Sequence, residues 1–364
     1  MSDIAAGTIT VFYLFDVADG ISLTTASALF GDAAVASRLA PKPATPAYVQ
    51  YQQPPVVIDD DGLGASPVEG FRLRVKLFDY GVVSLAMSRP YSGSWTDLVG
   101  LGYDFIENDR VAAQAEQRCR RLVERLEPAL TRPRSVFLSE DYVVFAVTAF
   151  EEPLTAEQVL DDHGDALASL LRGERRALSR QERDEVLRHR ISYLADDLVI
   201  PTWNAAFVYD TTAGSHAALD ILEFANSQLL EFRYYDELLD SEMTRIYARL
   251  QARRPIGLLG ARRYTRAAHA VHSLLIDVNE LTDRAENALK FVGDVYAARL
   301  FSLAAARLGL DKWKASVNEK LKTLDDIYRF AVEQTSMMRG ELLEVIVVLL
   351  ILLEVVLFVI GVVD

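Results

Sequence analysis

The feature that most constrains this chain is residues 342–363, LLEVIVVLLILLEVVLFVIGVV, a run that is nearly unbroken hydrocarbon. A helix needs about 20 mostly apolar residues to cross a bilayer core of roughly 30 Å, and the run has that length. Soluble cores rarely use a helix that is apolar on every face. The run predicts one C-terminal transmembrane helix followed by Asp364 alone, and hence a tail-anchored protein. The nearest upstream cations, Arg329 and Arg339, place the bulk of the chain on the cytoplasmic side. Glu344 falls in the first turn of the span, at headgroup depth. Glu354 falls near its midpoint, where a neutral or paired carboxyl is expected. Its partner would be a second copy of the helix or a polar residue of another membrane protein. A single span offers no proton relay, so helix association is preferred to transport.

With 364 residues the chain has room for a sizeable core and two structural units. Cys119 is the one cysteine, which excludes an internal disulfide framework and fits a reducing compartment. A net charge of −14 argues against direct nucleic-acid binding. The N-terminal MSDIAAGTIT has neither a secretory pattern nor an Arg-rich transit pattern. Richness in Ala, Arg, Leu and Asp points to a bacterial source. The expected location is a bacterial inner membrane, in preference to the mitochondrial one.

Residues 1–150 read as an α/β head. Residues 9–15 (ITVFYLF) form a buried strand, with a short helix at 24–38 and a Pro-rich loop at 41–67. Within that loop, Asp59, Asp60 and Asp61 lack a spaced ligand set and read as solvated. Phe71, Leu73, Val75 and Leu77 alternate with Arg72, Arg74 and Lys76, the period of a half-buried strand. Asp79-Tyr80-Gly81 turns the chain into a second strand at 82–87. The three cations share one sheet face. A solvated face is the plainer reading, and RNA or acidic lipid contact is the alternative. A helix at 104–126 and strands at 135–138 and 143–149 complete a β–α–β–β–α–β order, which predicts a ferredoxin-like sandwich with both helices on one face.

The remainder reads as helix, giving an α+β chain: 151–254, with Ser179 capping one helix, then an antiparallel stalk at 255–341 and the span at 342–363. Coiled-coil spacing recurs in three seams. The first runs through Leu222, Ala225, Leu229, Phe232, Asp236, Leu239, Met243, Ile246 and Leu250. The second runs from Val271 to Tyr296, with Gly309 as the following stop. The third takes Val317, Leu321, Leu324 and Tyr328 and enters the apolar run without a break. Residues 199–210, with Trp203, Phe207 and Val208, fit a strand or an irregular packed segment equally.

Asp236 is a polar residue in an apolar seam, and Arg233 one turn earlier is its expected partner. The chain has no Walker loop, no H-E-x-x-H and no C-x-x-C. Gly62-Leu63-Gly64 lacks the third glycine of a dinucleotide site. His269 and His272 make two ligands of an incomplete metal set and read as surface or packing residues. Arg118, Arg120 and Arg121 flank Cys119 and would lower its pKa, but no base accompanies it. No catalytic, cofactor-binding or metal residue is assigned, and the chain is read as non-enzymatic.

Residues 222–247, LEFANSQLLEFRYYDELLDSEMTRIY, resemble the signature of the required-for-meiotic-nuclear-division family, long regarded as a domain of unknown function. Leu229, Leu230 and Glu231, then Arg233, Tyr234, Tyr235 and Asp236, carry the likeness. The Asp79-Tyr80-Gly81 turn and the apolar tail with Glu344 and Glu354 extend it. The resemblance implies a membrane-anchored homo-oligomer without known catalysis, whose relatives support translation at a membrane. The expected function is thus a self-assembling scaffold that presents its head to a protein partner, which the resemblance suggests is ribosome-associated. The alternatives are an enzyme acting on a nucleotide or lipid headgroup, and an RNA or ribosome tether through Arg72, Arg74 and Lys76.

Overall fold

The structure is a computed structural model that describes residues 2–36, 54–59, 66, 68–106, 108–251, 273, 276 and 295–359. Its chain divides into two compact units. The first takes Met1–Tyr234 and Arg284–Lys314, and the second Tyr235–Asp283 and Ala315–Asp364.

The first unit is organised by a mixed sheet of eight strands: β1 (Ile4–Ile21), β2 (Ala34–Ala36), β3 (Val56–Ile58), β4 (Arg72–Leu77), β5 (Val82–Gly93), β6 (Leu130–Phe150), β7 (Leu198–Pro201) and β8 (Ala205–Tyr209). Their order across the sheet is β2-β3-β4-β5-β1-β6-β8-β7. Every pairing is antiparallel except β6 with β8, whose register sets Phe145 opposite Phe207. The hairpin read from 71–88 is present with its turn at Asp79–Gly81. Gly81 has φ 98°, and its amide and carbonyl bond Phe78 and Val17. A Cβ there would lie 1.8 Å from the Ala18 carbonyl oxygen, so only glycine fits.

Strand alternation sorts the sheet's side chains to two faces. Ile9, Val11, Tyr13, Phe15 and Val17 of β1, with Leu73, Val75, Val83, Leu85 and Phe145 of their neighbours, enter the main core. Helices α1 (Leu23–Phe30), α2 (Trp95–Phe105), α3 (Asp109–Leu126), α4 (Ala156–Arg172) and α5 (Arg180–Arg188) supply its other wall. In α3, Val111, Ala115, Cys119, Leu122 and Leu126 recur at helical spacing and are buried. Thr155 starts α4 with a capping box and Ser179 caps α5 as expected.

The opposite face of β1 is also buried: Thr10, Phe12, Leu14 and Asp16 are all closed off from solvent. Its covering comes from α6 (Thr212–Gln251), whose first part belongs to this unit, and from α7 (Val295–Leu308), where Phe301 packs on Phe224 at 5.6 Å. Gly309, φ 71°, ends α7 as the sequence indicates.

These facts correct the expected fold. A ferredoxin-like sandwich has four antiparallel strands and helices on one face. Here α4 and α5 form a crossover that brings β8 parallel to β6, β2 and β3 extend the other edge, and helices cover both faces. The strand β3 lies in the segment expected to be a Pro-rich loop, most of which is outside the described residues. The first seam is shared between the two units. Leu222, Ala225, Leu229 and Phe232 are buried in the first unit. Most of the second seam, with His269, His272 and Gly62-Leu63-Gly64, also lies outside the described residues.

The second unit takes α6 from Tyr235 and α8 (Leu310–Val359) from Ala315; α8 is one helix of about 75 Å at 1.5 Å per residue. Leu239, Val317, Leu321 and Leu324 are buried. Among the described residues no helix is long and apolar enough to cross a membrane, which overturns the transmembrane, tail-anchored and inner-membrane expectations. Side chains of the apolar run are described without interruption over residues 346–356. At helical rise that stretch covers about 16 Å, roughly half a hydrocarbon core, and it contains Glu354. Glu344 and Glu354 are both exposed on α8.

Replacing Gly81 with Ala is expected to cost about 2–4 kcal/mol, since it combines a left-handed backbone with a collision against backbone atoms. Urea unfolding of the full-length protein measures it, and a loss under about 0.5 kcal/mol would contradict this view of the turn.

Candidate functional site

The polar side chains of the first unit collect between α6 and the second sheet face. Register places Lys76 opposite Ser84, Ser84 opposite Leu14, and Leu14 opposite Glu140, making one row across β4, β5, β1 and β6. Above Lys76, α6 presents Asp220 and Glu223. Lys76 donates to Asp220 Oδ1 at 2.8 Å and also pairs with Glu223. Tyr80 and Ser227 share a hydroxyl hydrogen bond of 2.6 Å, and Arg233 pairs with Glu140. Arg134 stacks on the Tyr234 ring, 3.6 Å from its centroid.

Two independent lengths agree on the path of the helix. Three strand spacings from β4 to β6 make about 14 Å, and the α6 residues from Glu223 to Arg233 rise about 15 Å. Thus α6 crosses the strands and places one ion pair at each side. The seam is closed off from bulk solvent: Lys76 is 4% exposed, and Glu223, Asn226, Ser227, Gln228 and Glu231 are likewise buried. Asn226 Oδ1, Gln228 Oε1, Glu223 Oε1, Ser84 Oγ and Thr10 Oγ1 have no hydrogen-bond partner among the described residues.

The structure separates the three cations expected to act together. Lys76 is buried under α6, Arg74 pairs with Asp59 at 2.9 Å, and Arg72 is exposed. It also divides the residues of the 222–247 signature. Leu229, Leu230 and Glu231 are buried in the first unit, together with half-buried Arg233 and Tyr234. Tyr235 and Asp236 open the second unit.

Asp236 does not pair with Arg233. Its carboxylate accepts from Ser316 Oγ at 2.7 Å and pairs with Lys320 at 2.8 Å, while Lys320 also holds Asp240 at 2.7 Å. Burial alone would lower the Lys320 pKa, but the hydrogen bonds to Asp236 and Asp240 outweigh it and the net direction is upward. This clasp fixes α6 against α8 at one register, the structural role expected for a polar seam residue.

Cys119 is fully buried, and burial outweighs the lowering influence of Arg120, so its pKa is raised and not lowered as expected. Among the described residues no group of His, Cys, Asp and Glu could hold a metal ion. An open cleft of about 690 Å³ lies where α2, α3 and α4 meet, lined by Tyr103, Asp104, Asp109, Arg110, Arg172 and Glu174. Its charges are partly spent on Arg175–Asp104 and Arg172–Glu182 pairs.

The sequence reading missed Asp16, Ser84, Glu140, Asp220 and Glu223. The available signal was weak: an acid inside each of two apolar strands, and acids spaced three apart at Asp220 and Glu223 within an apolar-rich helix.

What the fold and seam define is a three-layer α/β unit with a buried polar helix–sheet contact. The chain belongs to the family of the N-terminal domain of the uncharacterized protein MJ0711, whose model matches residues 6–216. The protein MJ0711 of Methanocaldococcus jannaschii is 27% identical over 218 residues, 60% of this chain and 65% of that protein. The chain thus spans slightly less than two thirds of this relative's length. No solved structure matches. Neither match carries the meiotic-division name or a bacterial origin, and the segment 222–247 that suggested that family lies beyond residues 6–216 of the family match.

Lys76→Ala would leave Glu223 as an uncompensated buried charge, and is expected to cost about 3–5 kcal/mol. Asp236→Ala removes a half-buried pair and is expected to cost less, about 1–2 kcal/mol. Denaturant midpoints of the two variants give the order, and equal or reversed losses would contradict the burial ranking.

Proposed function

We propose that this chain is a non-enzymatic scaffold that assembles with copies of itself through the C-terminal part of α8 and offers its α/β unit to a protein partner. The observation that supports this reading is the exposed stretch at residues 346–356, where every side chain but that of Glu354 is Ile, Leu or Val. At 100° per residue the stretch is apolar around its whole circumference, and such a helix is stable in water only when covered. A two-stranded coil covers about a third of that circumference, so the reading favours assemblies larger than a dimer. A second copy is the favoured partner because an aliphatic helix surface is complementary to itself, as an isologous contact requires. Glu354 opposes it, because parallel copies set like charges side by side.

The other readings have less support. An enzyme built on Asp79, Tyr80, Glu231, Arg233 and Asp236 would need them in one pocket, yet Tyr80 is engaged by Ser227, Arg233 by Glu140 and Asp236 by Lys320. An RNA tether loses Lys76, which Asp220 and Glu223 hold. The resemblance of 222–247 to the meiotic-division family adds the suggestion that the partner is ribosome-associated.

Light scattering on the full-length protein, whose monomer is 40.5 kDa, tests the assembly. The native chain is expected above dimer mass, the Leu349→Glu/Leu353→Glu variant at monomer mass, and Glu354→Gln assembled at lower concentration than native. A native chain that stays at monomer mass at every concentration sinks the proposal.

A further inference from the structure

Asp16, Arg134 and Tyr234 meet where β1, β6 and α6 come together. Asp16 is wholly buried, and its Oδ2 accepts from Arg134 Nε at 2.7 Å. Its Oδ1 is buried and receives no hydrogen bond among the described residues. Arg134 also pairs with Asp19, which in turn pairs with Arg132 at 2.5 Å. Because the same guanidinium lies on the Tyr234 ring, one cation ties β1 to α6. Tyr234 is the last α6 residue of the first unit, so this contact secures the end of the α6 segment that covers the sheet.

The groups around Asp16 come from every packed element. Asp19 shares its strand, Arg132 and Arg134 lie on β6, and Glu231 and Tyr234 lie on α6. The β4–β5 turn, bonded to Val17 and Ile21, brings Asp79 and Tyr80, while β5 sets Val82 opposite. Burial pushes Asp16 up, Arg134 pulls it back and Asp19 adds to the rise, leaving it at about 7. Burial alone would lower Arg134, but Asp16 and Asp19 hold its proton and raise it. Arg134 is therefore charged throughout, and the proton that changes near neutrality is that of Asp16.

We infer that Asp16, Arg134 and Tyr234 form a proton-controlled latch on α6, seated firmly with a proton on Asp16 and released more readily when Asp16 is ionised. With α6 lifted, Asp16 meets water and titrates as an ordinary carboxyl near 4. The seated form keeps its proton up to about 7. Between those values the seated form binds more protons, so seating is favoured in acid, weakens as pH rises toward 7 and levels off above it. From pH 6 to pH 8 the opening equilibrium rises about tenfold.

Hydrogen exchange with mass spectrometry on the full-length protein reads this opening over residues 212–234, after correction for the intrinsic pH dependence of exchange. The native protein is expected to open about tenfold more often at pH 8 than at pH 6. In Asp16→Asn the opening should be independent of pH and close to the native value at pH 6. Equal native opening at the two pH values, or a tenfold change that persists in Asp16→Asn, overturns the latch. If that variant does not fold, the side-chain carbon shift of Asp16 in the native protein decides. A midpoint near 7 supports the latch, and one below 5 overturns it.

Discussion

The first unit depends on burying both faces of β1 while one of those faces is polar. The core face needs only hydrocarbon, which α1 to α5 provide. The other carries Thr10 and Asp16, and its row continues through Ser84 of β5, Lys76 of β4 and Glu140 of β6, polar groups that are costly to bury unpaired. Helix α6 answers with charges at the two ends of its crossing, Asp220 and Glu223 over β4 and Arg233 over β6. Apolar contacts tolerate sliding, whereas an ion pair at each end admits one register. Such a contact adds little net stability compared with a hydrocarbon one, and its contribution is to fix position. The same logic recurs in the second unit, where Lys320 clasps Asp236 and Asp240 within a seam otherwise made of Leu239, Val317, Leu321 and Leu324.

Local signals in the sequence were reliable wherever the cause was local. The alternation at 71–77, the turn that demands Gly81, the cap at Ser179 and the stop at Gly309 each follow from a few adjacent residues. What depended on distant partners was not legible. Lys76 reads as a solvated cation until α6, some 144 residues later in the chain, covers it. The strand at 205–209 is short and apolar throughout, because β8 is buried on both faces, and periodicity cannot separate such a strand from a buried irregular segment. Asp236 was rightly singled out as polar in an apolar seam, but its partner lies on α8 and not one turn away on its own helix.

The apolar run at the C-terminal end shows the limit of composition. Hydropathy over 342–363 suggested a bilayer span, yet no helix among the described residues meets the length and apolarity a span requires. The family match divides the chain in a related way. It covers 6–216, the sheet and the helices of its main core, and ends as α6 begins. The layer that closes the second face, and the α8 stretch on which the assembly proposal rests, lie outside the matched residues.

The central claim is that α6 is held on the sheet by a buried ion pair between Lys76 and Glu223. A double-mutant cycle of Lys76→Met and Glu223→Gln, read by urea unfolding of the full-length protein, tests it most directly. Groups that share a buried charge pair couple strongly, so the two single losses should exceed the double loss by about 2–3 kcal/mol. Losses that add to within about 0.5 kcal/mol would mean that the residues act independently, and the polar seam would not be what seats the helix.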